Sequence, residues 1–428
     1  MASTEGNRKI NVAIVGGGMG GLCMAIGLLK YSHIQVQIYE AAHKFSEIGA
    51  GVAFGPNAQR ALKLIDPKAE QAYLRLATHN MWKELKNTWF EYRYAMGPRE
   101  GELIAAPRNE TGQSTVHRAK FLDEFVALIP REIAHFGKRL DRIVDNGKDG
   151  VTLHFKDDTT VTADCIIGAD GVHSATRKYL LGEDHPATNA NFSGSVAYRG
   201  LVPMKEAVDA IGERYAHNSF IWVGKGGSIM TYPIDFGETM NIVAINSSLS
   251  LWEGPWVQYT QQEKITEEFS AWGTHSQKII KLLDRRETAA WSLWDQAPAP
   301  FYCSGNVVML GDAAHATTPF QGQGAGQAIE DAWVLESLFA HVDAREKIPM
   351  AFRAYDKIRR PRSQKVCQTS REAGELCALR LPGVEDNAQA FKENIDWRMD
   401  WMWHRDIAGE RDEALIVFNK LVDGESIE

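Results

Sequence analysis

The stretch Val12-Ala13-Ile14-Val15-Gly16-Gly17-Gly18-Met19-Gly20-Gly21-Leu22 constrains this chain more than any other. An apolar run closes on a cluster of glycines, and a small-residue, apolar segment resumes at once. The pattern predicts a buried strand, a tight turn and a helix from Gly21 to Lys30. Gly16, Gly18 and Gly21 have the G-x-G-x-x-G spacing of a dinucleotide site. In that reading Gly16 permits the turn and Gly18 admits a pyrophosphate to the backbone. Gly21 lets the helix pack on the strand, its N-terminus facing phosphate charge. Taken alone, the pattern equally describes an ordinary glycine-rich turn.

The next segment, Ile34-Gln35-Val36-Gln37-Ile38-Tyr39-Glu40, alternates as a second strand. It ends in an acid roughly 20 residues beyond the glycines, the spacing of a ribose-binding carboxylate. A carboxylate at Glu40 accepts from a 2′-hydroxyl and repels a 2′-phosphate, which favours NAD or FAD over NADP; the plain alternative is a solvated strand end.

At 428 residues the chain exceeds one ordinary core and suggests two or three packed units. Its 44% hydrophobic and 24% charged residues are those of a soluble globular protein. A formal net charge of −8 leaves no basic excess for a nucleic-acid partner. The five cysteines are scattered without a C-x-x-C pair, so reduced, buried thiols and no metal site are expected. The polar start, Met1 to Lys9, resembles no signal peptide, and no apolar run is long enough to span a bilayer. A cytoplasmic location is the expectation.

Further along, Gly49 to Ala58 is a small-residue loop entering a helix, suited to backbone pressed against a ligand. Residues 81–113 turn aromatic (Trp82, Trp89, Phe90, Tyr92) and read as an excursion from the nucleotide domain. Val116-His117-Arg118 opens a helix; an arginine there opposes the macrodipole and suits an anionic partner or simply the surface. Cys165 to Gly171 is a buried strand ending at Asp170, at the carboxyl edge where open α/β sheets bind ligands. From Phe192 to about Trp291 β-rich runs replace the βαβ rhythm. Asn306 to Leu310 restores it, ended by Gly311-Asp312, and Thr317 to Gln327 forms a second glycine-rich loop before a helix. The rest is helical; its basic run Lys357 to Arg362 reads as a solvated face.

Three separated motifs then agree: Gly16–Gly21 with Glu40, Asp164–Arg177 around Asp170-Gly171, and Gly311-Asp312 followed by Pro319–Gly326. Together they resemble the signature of the single-component FAD-dependent aromatic hydroxylases, the group A flavoprotein monooxygenases, and within them the salicylate 1-monooxygenase branch. The branch resemblance is carried by Tyr31–Gln37, Gly49–Ala58, Ser114–Ala119, Ala197-Tyr198-Arg199-Gly200, Gln368–Ser370 with Gly374–Leu376, and Asp396-Trp397 before Trp403–Asp406. It covers nearly the whole chain. It implies an α/β fold: a Rossmann-like FAD-binding domain in three parts (8–80, 114–190, 293–345), the excursion 81–113, an inserted β-sheet substrate domain (191–292) and a C-terminal helical region (346–428).

The resemblance implies that Gly16, Gly18 and Gly21 hold the FAD pyrophosphate and Glu40 the adenosine ribose. Ala53 and Arg118 line the cofactor, Asp170 lies between pyrophosphate and nicotinamide roles, and Asp312 accepts from the ribityl chain. The helix start at Gly324-Ala325-Gly326 aims its N–H groups at the flavin edge that becomes negative on reduction. NADH enters transiently as electron donor, without a second fingerprint to give it a domain. O2 is co-substrate, and a flavin C4a-hydroperoxide hydroxylates salicylate at the carboxylate-bearing carbon, releasing CO2 and catechol. Arg199 and Tyr232 are the expected catalytic pair, holding a phenolate; a structural ion pair and a core tyrosine are their plain alternatives. Trp222, Pro319 and Phe320 are expected in the substrate pocket, although ordinary packing is the favoured reading of Trp222 and of Trp89. Phe320 stands where bacterial relatives carry a His able to help deprotonate the phenol. Arg93, Arg199 and His217 are the candidates for gripping the carboxylate. A monomer or homodimer acting on a small aromatic substrate is expected. Other readings are a hydroxylase of another hydroxybenzoate or polyketide-derived phenol, a flavin reductase without oxygen chemistry, an NAD-dependent dehydrogenase, and a non-catalytic nucleotide-binding scaffold.

Overall fold

The run Val12 to Val15 is apolar on both faces, and a strand of that kind must be covered on both sides. The computed structural model, which describes residues 9–45, 51–260, 262–283 and 288–426, makes it central. Gly49, Ala50 and the polar start before Lys9 lie outside the described residues. Ile10–Val15 pairs in parallel with Ile34–Tyr39 on one side and Cys165–Gly168 on the other. Val307–Met309 adds a further parallel strand, and Ala134–His135 and the antiparallel Cys303–Ser304 complete six strands. The first helix spans Met19–Leu28, two residues earlier than its pattern suggests, because Gly18 already serves as its N-cap. It is buried along its whole length, wedged against the helix Gly324–Phe339. Glycine allows that approach: a Cβ at Gly20 would lie 3.3 Å from Ala328, and one at Gly27 2.7 Å from Glu336.

The second sheet has eight strands, in the order Val257–Thr260, Thr288–Gln296, Ala190–Pro203, Thr239–Asn246, Gly227–Ile234, Phe220–Gly224, Glu91–Tyr94 and Leu103–Ala105. The aromatic segment thus contributes its last two strands, Glu91–Tyr94 pairing in parallel with Phe220–Gly224. Its outer face carries the helices Met204–Ile211 and Thr274–Lys281 around a core of its own that includes Trp222 and Trp272. The other face looks toward the six-stranded sheet. Val116 and His117, expected to open a helix with Arg118, instead end the strand Ser114–His117, which lies between Gly51–Ala53 and Thr78–His79; the helix begins at Arg118 and runs to Val126.

Three long helices, Ile348–Cys377, Ala388–Trp403 and Ile407–Val422, close the structure. The basic run on the first is not a solvated face. Arg359 and Arg362 are buried, since residues three apart share one side of a helix and this side faces inward. Arg359 donates to Asp331 (2.9 Å), Glu330 (2.8 Å) and Glu410 (2.9 Å), and Arg362 donates to Glu330 (2.7 Å). Burial by itself would raise both carboxyls of the pair Glu330 and Asp331. The guanidiniums of Arg362 and Arg359 override it for Glu330, and His315 with Arg359 override it for Asp331, which stands at about 2.

Those carboxylates bind fewer protons in the folded state than in the unfolded chain. Their contribution is therefore complete above an unfolded pKa of roughly 4 and drains away as the pH falls toward 2. Removing the cation at neutral pH takes one charged partner from each of three buried carboxylates, leaving Glu330 to Arg362, Asp331 to His315 and Glu410 to Arg405. Arg359→Met is expected to cost about 3–5 kcal/mol, whereas Arg380→Met, which breaks only the surface pair with Glu375, costs about 1 kcal/mol or less. Thermal and denaturant unfolding of the two variants checks this; equal losses would mean the buried cluster is not the stabilising element.

Candidate active site

Strand ends and helix starts meet where the two sheets face one another, and a cavity of about 550 Å³ opens between them. One end is built from the first glycine turn. Gly16 has φ of +103°, and a Cβ there would run into the Ala169 carbonyl of the neighbouring strand's exit. A Cβ at Gly21 would run into the Gly16 carbonyl oxygen, so Gly21 sets the closeness of helix and strand without lining the cavity. Gly18 lines it, and a Cβ there would meet nothing within 4 Å. Glu40 folds back on the turn: Oε2 accepts from the Gly17 N–H (2.7 Å) and Oε1 from that of Ala42 (2.7 Å).

The middle of the cavity is lined by Ala53, Arg118, Asp312, Gly324 and Ala325. Arg118 begins its helix within the field of Asp312; burial lowers its pKa and Asp312 counters. The helix Gly324–Phe339 has no side-chain cap at Gln323, so its first N–H groups are left for whatever enters the cavity. Gly326 does not line the cavity; a Cβ there would sit 3.2 Å from Ala58 of the helix Pro56–Ile65. Asp170 lines it but spends its carboxylate locally, accepting from Ser174 Oγ (2.5 Å) and from the Thr176 N–H (2.9 Å). Burial raises its pKa against the pull of those bonds. Its observed work is to shape the turn before the helix Ala175–Leu181.

The other end belongs to the eight-stranded sheet. Arg199, Tyr232 and Asn241 line it with Ile221, Met230, Val243 and Ile245, and Pro319 and Phe320 close it from the second glycine loop. Arg199 lies 5.1 Å above the Trp291 ring, and its buried Nε has no hydrogen-bond partner. Burial lowers the pKa of its guanidinium, with Tyr232 countering. The Tyr232 hydroxyl donates to the Gly51 carbonyl (3.2 Å). Its pKa is pushed up to about 12 by burial, against the opposing effects of Arg199 and the Asn241 amide. Phe320 has room for its ring because residue 374 is glycine; a Cβ there would lie 2.7 Å from it.

Trp222, expected in the pocket, is not there. Successive side chains of a strand point to opposite faces, so Ile221 lines the cavity while Trp222 packs outward against Tyr215 and His275. Trp89 does line the cavity. Of the three candidates for a carboxylate, Arg93 is tied to Glu91 (2.9 and 2.7 Å) and His217 stays outside the cavity wall, leaving Arg199 alone. Asn241 and Gln321 were missed. The only sequence signal for Asn241 is a lone amide in the otherwise apolar run Met240 to Ile245.

The FAD binding domain family matches residues 133–370. A 6-methylsalicylate 1-monooxygenase of Aspergillus terreus is 50% identical over 425 residues, covering 98% of this chain and 95% of that protein. The chain belongs to the FAD-dependent aromatic hydroxylases. A salicylate hydroxylase of Pseudomonas putida is 40% identical, covering 95% of this chain and 94% of that protein. The solved structure of a salicylate hydroxylase substrate complex superimposes with a TM-score of 0.85 at 34% identity, covering 95% of this chain and 98% of that one. The hydroxylase is therefore an FAD-dependent monooxygenase of the salicylate hydroxylase type with a Rossmann-like FAD-binding domain. Among the described residues no helix is long and apolar enough to cross a membrane.

The cavity suits the cofactor: an open space over Gly18, two uncapped helix starts for anionic edges, and a carboxylate at Asp312. Two glycines should separate folding from loading. Gly18→Ala should leave the apoprotein's melting temperature unchanged yet lower FAD retention, because the new methyl enters only the cavity. Gly21→Val should lower both. Melting curves with and without added FAD, alongside the bound-flavin absorbance, distinguish the two; normal flavin content in Gly18→Ala would remove that turn from the cofactor site.

Proposed function

We propose that this hydroxylase converts 2-hydroxybenzoates to catechols with loss of the carboxylate, salicylate giving catechol. The balance is one salicylate, one NADH, one O2 and two protons to one catechol, one CO2, one NAD+ and one water. The observation that carries the reading is Arg199: a half-buried guanidinium lining a largely apolar chamber, its Nε buried and unpaired, with no carboxylate paired to it among the described residues. A cation left so needs an anion from outside, and a phenolate oxygen is such an anion. Support also comes from the named activities of the relatives at 50% and 40% identity.

In this reading Gly16 and Gly18 border the pyrophosphate of FAD, Gly21 sets the closeness of the helix whose start faces it, and Glu40, already pinned to the Gly17 N–H, meets the adenosine ribose. Asp312 takes the ribityl hydroxyls, and Arg118 and the Ala53 backbone border the cofactor. The start of the Gly324–Phe339 helix stabilises negative charge at the flavin's pyrimidine edge. When bound, the flavin supplies reduction by NADH and activation of O2. Arg199 holds the phenol oxygen as its anion, which keeps the ring electron-rich at the carbon to be attacked. Tyr232, un-ionised at neutral pH, supports the substrate from the second strand along, beyond Thr239–Asn246. Phe320 cannot take a proton, so the phenolate is held by Arg199 rather than made by a base at 320. Ile221, Met230, Val243 and Phe320 keep water from the reacting centre.

The same apolar wall, with the 6-methylsalicylate activity of the 50%-identical relative, favours a ring carrying an extra methyl as a second substrate. 6-Methylsalicylate would then give 3-methylcatechol.

Purified holoenzyme with NADH should turn salicylate or 6-methylsalicylate into the matching catechol and CO2 in step with NADH consumption. Faster NADH oxidation that yields only hydrogen peroxide with both compounds would overturn the reading. Arg199→Ala should keep its flavin and lose at least about 100-fold in kcat/KM, the cost of about 3 kcal/mol for a lost charged contact. Unchanged turnover in that variant would remove Arg199 from the reaction.

A further inference from the structure

A 2-hydroxybenzoate brings two neighbouring oxygen groups, and among the described residues the sheet face of the cavity offers a single cation, Arg199. With that guanidinium on the phenol oxygen, the carboxylate needs another donor. Asn241 also lines the cavity, is only 1% exposed, and lies beside the Tyr232 hydroxyl without a hydrogen bond of normal geometry at either Nδ2 or Oδ1. Leaving both ends of a buried amide unmet is costly, so such a side chain marks a place where a polar ligand group belongs.

Register fixes its position. Asn241 stands directly across from Tyr232, while Arg199 stands across from Val243, two residues along the same strand. Arg199, Tyr232 and Asn241 therefore share one face, with Arg199 and Asn241 on the diagonal, at roughly 7–8 Å between backbones. Two side chains at that spacing can converge on adjacent substituents of one ring.

We propose that Asn241 is the carboxylate-binding residue of this site, its Nδ2–H donating to the substrate carboxylate while Arg199 holds the neighbouring oxygen. The assignment rests on the 2-hydroxybenzoate reading above. It also has a chemical logic. The carboxylate must leave as neutral CO2, and a cation bound to it would stabilise the ground state more than the transition state. A neutral amide orients the group without that penalty. Gln321 is the nearest rival, since its Nε2 is also unpaired and it lines the cavity, but its Oε1 already accepts from Thr369 (3.0 Å).

The test is equilibrium titration of the FAD-loaded enzyme with salicylate and with phenol, which lacks the carboxylate, followed by the flavin absorbance. Asn241→Leu should weaken salicylate binding by roughly 10- to 100-fold and phenol binding by no more than about 3-fold. Asn241→Asp, equal in shape, should weaken salicylate further, because the substrate carboxylate then meets like charge directly, and phenol less, because its oxygen sits on Arg199. Wild-type flavin content and melting temperature in either variant show that it is folded. Salicylate affinity unchanged in both variants, an equal loss for phenol, or a carboxylate-specific loss in Gln321→Leu instead would overturn the assignment of Asn241. A wild-type enzyme that binds neither salicylate nor 6-methylsalicylate would instead overturn the substrate reading, and this assignment with it.

Discussion

The site hangs on one buried cluster of charge. Asp331 accepts from Arg359 Nε at 2.9 Å, from His315 Nε2 at 2.5 Å and from the Gly311 N–H at 3.0 Å. One carboxylate thereby joins the long C-terminal helix, the short helix after the Gly311-Asp312 turn and the helix Gly324–Phe339. Its neighbour Glu330 accepts from Asn57 Nδ2 at 2.7 Å, which brings in the helix Pro56–Ile65. The groups that face the cavity, Asp312 and the start of the Gly324 helix, are each within a few bonds of this cluster. Buried ion pairs are weak evidence for net stability. Here the geometry gives them a different consequence: a displacement of any one helix leaves a carboxylate or guanidinium unpaired in the interior, so the turn and the helix start are held in one relative position.

That rigidity sets up a division of labour in the cavity. The nucleotide-binding half meets charge with backbone N–H groups at two uncapped helix starts, while the sheet half meets it with side chains on alternate strand positions. Arg199, Tyr232 and Asn241 come from three adjacent strands, and the apolar residues between them exclude water and strengthen each polar contact. Gly374 belongs to the same design, because its missing side chain is the space filled by the Phe320 ring.

Much of this was legible because its cause is local. The glycine spacing at 16, 18 and 21 is dictated by backbone approach within a few residues, and the alternation of Ile34 to Tyr39 by the pleat of one strand. Where several local motifs were needed at once, their order along the chain identified the family. The errors share a different cause. Trp222 was expected in the pocket and Arg359 and Arg362 in solvent, and in each case the deciding fact was which side of an element another element covered. The start of the strand Ser114–His117 was hidden for a similar reason: its partners Gly51–Ala53 and Thr78–His79 lie far from it in sequence.

By itself, then, the sequence determined a dinucleotide-type glycine turn and the α/β alternation around it, since these follow from torsion angles and periodicities within short windows, while FAD was implied by the resemblance of several motifs taken together. Tertiary structure alone decided which polar groups end in the interior without a partner. Arg359 was paired and Asn241 was not, and no local pattern separates a buried guanidinium with three carboxylates from a buried amide with none. Pairing is a property of residues brought together from distant parts of the chain: burial strips water from every group alike, and only the neighbours that packing supplies determine which group is left to bind a ligand.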